Sequence, residues 1–156
     1  MSDNELIEGL PIGQVDYSRR RTISEGDFSV LTNMTWTTGP IHSDEEYART
    51  TPFGHRILGG PVVAAVVSGM WYSSCCEEFY ARNRIRSIAA LGMNASYRGP
   101  LFPGDTLRAE TTLVNARPSK TRPGTGILEF QDRAYNQRDE LVIEMKRAIL
   151  FERISE

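Results

Sequence analysis

Cysteine and histidine are scarce, with two of each in 156 residues. Cys75 and Cys76 are adjacent, His42 and His55 stand apart, and no further Cys completes a metal-ligand spacing, so no metal site is expected. Neighbouring Cα atoms lie about 3.8 Å apart, short of the usual disulfide span of about 4.4–6.8 Å, so the two thiols are not expected to bridge each other. An excess of positive charge is also missing. The 18 Lys and Arg are set against 20 Asp and Glu, a net charge of −2, which excludes a general field for nucleic acid or an anionic membrane. A phosphate-bearing partner would have to be held by a local patch. Gly13, Gly54 and Gly59-Gly60 lack the spacing of a P-loop or a dinucleotide fingerprint. Nothing near Met1 resembles a charged and then apolar leader, and Asp3, Glu5 and Glu8 make the start acidic, so a cytoplasmic location is expected. The stretch from Ile57 to Cys76 carries no charge, yet Gly59, Gly60, Pro61, Ser68, Gly69, Ser73 and Ser74 dilute it. A helix buried in protein accounts for it better than a membrane span.

What is present fits one domain, since 40% hydrophobic residues in a chain of this length supply a single core. Residues 1–16 show no periodicity and read as an irregular arm, leaving 17–156 as the domain. Tyr17 to Ile23 reads as a strand, and Ser24 with Asp27 opens a short helix to about Thr32. Asn33 to Pro40 reads as a loop, and Ser43-Asp44-Glu45-Glu46 as a capping box opening a helix to about Thr50, with His42 just outside it. Gly59-Gly60-Pro61 then announces a helix running to about Asn83, Pro61 suiting its first turn. Val63, Val66, Val67, Met70 and Trp71 form its core-facing stripe. Strands follow at Ile88–Tyr97, Thr106–Ala116, Gly126–Asn136 and Glu140–Glu152, the last two joined at Arg138-Asp139. The class is α+β, a long antiparallel sheet with one buried helix across it.

The run Pro40-Ile41-His42-Ser43-Asp44-Glu45-Glu46-Tyr47-Ala48, then Thr51-Pro52-Phe53-Gly54 and Ile57-Leu58-Gly59-Gly60, resembles the hydratase motif of the MaoC-like, (R)-specific enoyl-CoA hydratase family. Gly99-Pro100-Leu101-Phe102-Pro103-Gly104-Asp105-Thr106-Leu107 and Asn136-Gln137-Arg138 resemble its downstream strand signatures. The resemblance implies a hotdog fold, an antiparallel sheet wrapped around a long central helix, with two copies pairing to form an acyl-thioester site. It implies hydration of a trans-2-enoyl-CoA, or dehydration of a 3-hydroxyacyl-CoA, without a cofactor. The partners it implies are an acyl-CoA or acyl-carrier thioester and a second copy of the chain. Carried over residue by residue, His42 handles the proton and the Gly60 N–H binds the thioester oxygen, with Ile57, Gly59 and Pro61 as adjoining substrate-binding candidates.

The chemistry is reasonable on its own terms. Adding water at the β-carbon builds negative charge on the thioester oxygen, which a helix N-terminus meets with free N–H groups and a favourable dipole. An imidazole exchanges protons near neutral pH. Two positions depart from the family pattern: the catalytic Asp is expected five residues before the His, where this chain has Thr37, and the Asn two residues later is Gly39. A threonine orients water but cannot act as a carboxylate base. Three readings follow: His42 as sole base with Thr37 holding water, a substitute carboxylate such as Asp44, or thioester binding without hydration. Thioester hydrolysis is a further alternative. Arg19-Arg20-Arg21 and Arg117, Lys120 and Arg122 are candidate phosphate contacts, although solvated surface charge is the commoner role.

Overall fold

The computed structural model describes residues 3–154; the outermost ends of the expected arm and domain, 1–2 and 155–156, lie outside the described residues. The arm is more ordered than expected. It forms a helix, α1 (Asp3–Ile7), and a strand, β1 (Val15–Tyr17), and buries Leu6 and Leu10 in the core. A five-residue helix is too short to display a period, so only Leu6 within it and Leu10 just beyond it hint at the burial. The strand expected over 17–23 is split into β1 and β2 (Arg21–Thr22).

Ser24 caps α2 (Glu25–Met34) as expected, its Oγ accepting from Asp27 N at 3.1 Å while Asp27 Oδ2 accepts from Ser24 N. Beyond a loop at 35–39, the chain makes one turn, α3 (Pro40–Ser43), and then α4 (Glu45–Arg49). The cap of α4 is Asp44 and not Ser43: Tyr47 N donates to Asp44 Oδ1 at 3.0 Å, and Ser43 Oγ turns back to Thr38 O at 2.9 Å. His42 therefore lies inside a turn of its own. The long helix runs through α5 (Gly60–Trp71), a π-helical turn (Tyr72–Cys76) and α6 (Glu77–Asn83), ending at Arg84 in the left-handed region (φ 50°).

Four long strands complete the chain, β3 (Ile85–Tyr97), β4 (Thr106–Pro118), β5 (Gly126–Tyr135) and β6 (Leu141–Arg153). They form one antiparallel sheet in the order β1-β4-β5-β6-β3, with β2 also paired to β4. Alternate residues of β4, such as Leu107, Ala109, Thr111 and Leu113, are buried, which is the period expected of a strand with one covered face. They meet Val62, Val63, Val67 and Met70 of α5 in one cluster, and Trp71 with Phe79, Leu128, Phe130 and Phe151 in another. Beneath the second cluster Asp132 accepts from Arg147 Nε and Nη2 at 2.5 and 2.9 Å and from Thr111 Oγ1 at 2.6 Å. The edge strand β3 is different, with Ile88, Leu91, Met93 and Tyr97 all exposed.

Candidate active site

The site is assembled where the segment before α5 is pinned from two sides. Glu45 accepts from His55 Nδ1 at 2.7 Å and from Arg56 Nε at 3.1 Å, and Arg56 also reaches Glu25 at 3.0 Å. The hydrogen bond from His55, then those from Arg56, hold the Glu45 carboxyl down at about 2. On the other side, Leu58 N donates to Leu101 O at 2.9 Å and Ile57 N to Ile41 O at 3.3 Å. The turn carrying His42 and the start of α5 are thus tied to the same short segment.

His42 Nδ1 lies 2.7 Å from Ile57 O. A carbonyl oxygen only accepts, so Nδ1 carries the proton and Nε2 of the neutral ring is left as an acceptor. The half-buried ring lines a pocket of about 350 Å³ with Phe53, Ile57, Leu58, Gly60, Val63 and the Tyr97–Leu101 segment. At the pocket's helical end, Val62 N and Val63 N both bond Gly59 O, at 2.9 and 3.0 Å, and Pro61 has no N–H. The Gly60 N–H is left free among the described residues. A bare imidazole nitrogen and a free helix N–H therefore share one mainly apolar pocket, which suits proton transfer beside an oxygen that gains charge.

The remaining expected site residues are placed unevenly. His42, Ile57 and Gly60 line the pocket, whereas Thr37, Gly59 and Pro61 do not. The Thr37 methyl packs on Gly59 so closely that a Cβ there would stand 2.3 Å from Cγ2, and its hydroxyl bonds Thr35 Oγ1 at 2.8 Å. Asp44 is occupied as a helix cap, and among the described residues no carboxylate lines the pocket. Neither basic group lies on it; Arg98 does, paired to Glu144 at 3.1 Å. Tyr97, Arg98 and Phe53 were not expected as site residues, although Phe53 lies within the quoted motif. The turn residues Gly99 to Gly104 signal only that the chain reverses after Tyr97. That reversal is held by buried Asp105, which accepts from Phe102 N at 2.9 Å and Gln137 Nε2 at 2.6 Å.

Comparison with known proteins identifies the family and the fold. The family model for the MaoC like domain matches residues 8–129. The chain belongs to the MaoC-like family. This MaoC-like chain is 31% identical over 126 residues to an (R)-specific enoyl-CoA hydratase of Rhodospirillum rubrum, covering 77% of this chain and 80% of the relative. A solved MaoC-like dehydratase from Rhodospirillum rubrum superposes with a TM-score of 0.80 at 27% identity, over 97% of this chain and 99% of that one. A Mycobacterium tuberculosis protein with a double hotdog fold superposes at 0.74 and 20% identity, covering 96% of this chain and 44% of that one. The fold of the MaoC-like chain is the hotdog, and its family is one of hydratases and dehydratases. No helix among the described residues is long and apolar enough to cross a membrane.

Proposed function

We propose that the chain is an acyl-thioester hydro-lyase that adds water to a trans-2-enoyl-CoA and runs the reverse dehydration of a 3-hydroxyacyl-CoA. The observation that carries this reading is the pairing of a tautomer-fixed His42 with the free Gly60 N–H in one pocket. His42 Nε2 takes a proton from water as the oxygen bonds the β-carbon. The displaced electron pair moves through the α-carbon to the thioester oxygen, where the Gly60 N–H and the α5 dipole meet it. Collapse of the enolate with protonation at the α-carbon returns the proton and completes the addition. The sequence of steps consumes no redox equivalent, so it calls for no cofactor besides the coenzyme A of the substrate. The mainly apolar lining suits the acyl group. The active unit is proposed to be a homodimer paired along β3, whose long exposed edge and apolar residues are unsuited to an isolated chain.

A second reading, an acyl-thioester binder without turnover, is favoured by two observations: among the described residues no carboxylate lines the pocket, and the Thr37 hydroxyl is bonded to Thr35. The two are separated by following the absorbance of a short trans-2-enoyl-CoA together with free-thiol release. Hydration removes the enoyl band without releasing thiol, and His42→Ala lowers its rate by at least about a hundredfold, the ordinary contribution of a general base. An inert wild type that gains activity in Thr37→Asp would favour the binder. Release of free thiol would instead indicate hydrolysis.

A further inference from the structure

The mechanism above gives the thioester oxygen one donor, although an oxygen developing charge accepts two. The first turn of α5 has no second one to offer, because Pro61 lacks an N–H and the Val62 and Val63 amides are bonded to Gly59 O. Among the described lining residues the hydroxyl-bearing side chain is that of Tyr97, at the end of edge strand β3. A Cβ built on Gly60 would stand 2.7 Å from Tyr97 Cζ, 2.9 Å from Cε2 and 3.0 Å from Cε1. Those three atoms form the hydroxyl-bearing end of the ring. The phenol is thus laid with its polar end on the helix start, and its hydroxyl has no protein hydrogen-bond partner among the described residues. Two further details hold it there. Tyr97 pairs with Ile143, which is buried beneath the helix, so the side chain is directed to the helix-facing side of the sheet. The next two residues are tied back by Arg98 N and Gly99 N, which both donate to Val142 O, at 2.8 and 3.1 Å.

We propose that the Tyr97 hydroxyl is the second oxyanion donor of this site, working beside the Gly60 N–H. The glycine at 60 then has a second purpose, since any side chain there would push the phenol off the helix start. A neutral hydroxyl held in place suits this role because it strengthens its hydrogen bond as the oxygen becomes an enolate, without needing to move. The proposal rests on the thioester-site reading given above, and its test is arranged so that the two fail separately.

Tyr97→Phe keeps the ring on Gly60 and removes only the donor. Under the hydration assay it lowers kcat about ten- to a hundredfold and changes KM less than about threefold, because the lost bond is made mainly as charge develops. The second readout does not depend on turnover. In a His42→Ala background, binding of a chromophoric cinnamoyl-CoA thioester is followed by absorbance, and donors on the carbonyl oxygen shift its band to longer wavelength. Adding Tyr97→Phe reduces that shift at saturating ligand. A wild type that proves inert while the shift falls with Tyr97→Phe would sink hydration and support the donor. An unchanged shift and unchanged kcat in Tyr97→Phe would overturn the donor while leaving the site intact. Absence of cinnamoyl-CoA binding in every variant, with the fold preserved, would overturn both.

Discussion

Gly59 shows how closely the site is packed around its missing side chains. An added Cβ would meet the Thr37 methyl at 2.3 Å, and Thr37 is fixed by its own N–H to Thr32 O at 3.1 Å. Gly59→Ala is expected to cost about 1–3 kcal/mol by overpacking, or roughly 2–4 °C of Tm per kcal/mol in a chain of this size. Thr37→Ser removes the offending methyl, so Thr37→Ser/Gly59→Ala should recover most of the loss. Additive Tm changes in this double-mutant cycle would show that the two residues do not meet as described. At this scale the sequence pointed, through a local motif, to His42 and Gly60, which the fold brings into one pocket. It was silent about Tyr97. The direction of a strand residue depends on register, and the β3–β6 register shifts between Ser87 and Ala89 and again between Ala90 and Gly92. Alternation read along β3 therefore cannot tell which face Tyr97 occupies.

Among the elements, α4 depends on ionic ties more than on burial. Only Ala48 of α4 is buried, and the helix is held to the segment before α5 through Glu45, His55 and Arg56. Folding lowers the Glu45 carboxyl from its ordinary 4.5 to about 2. A carboxyl depressed in this way contributes stability that is fully present above about 4.5 and is lost as pH falls toward 2. Glu45→Gln should therefore lower Tm at pH 7 and melt with a shallower acid slope, its curve converging with wild type near pH 2. Asp27, Glu129, Glu140 and Glu144 are also held down by their hydrogen bonds, so the wild-type-minus-variant difference isolates Glu45. Parallel Tm curves across that window would refute the assignment. The larger elements were readable because pattern and punctuation agree: the charge-free run became α5 and the π-helical turn, α6 carries the helix on to Asn83 as expected, and the four long strands lie within about three residues of expectation. The arm was not, since Leu6 and Leu10 gain their meaning only from Trp71 and Phe79, far along the chain.

For the whole molecule, the unresolved need is at β3. Its 13 residues form a sheet edge, one side hydrogen-bonded to β6 and the other without a partner strand among the described residues, and Leu91 and Met93 are each 49% exposed. Natural edges of this length are covered, paired or charged, and no Lys, Glu or Asp interrupts Ser87 to Tyr97. A second copy aligned on the same edge by a twofold axis would continue the sheet and cover these side chains. Light scattering at micromolar concentration should then report twice the chain mass of 17.5 kDa. Leu91→Lys/Met93→Lys places charge on the edge and should return the mass to 17.5 kDa with the far-ultraviolet circular dichroism unchanged. The pocket wall from Tyr97 to Leu101 begins where β3 ends, so the same variant should bind acyl thioester several-fold more weakly. If the double variant keeps the mass of the wild type, pairing along β3 is wrong and another surface must join the copies. If the wild type itself measures 17.5 kDa, the exposed edge is tolerated in a single chain and the site must be complete within it.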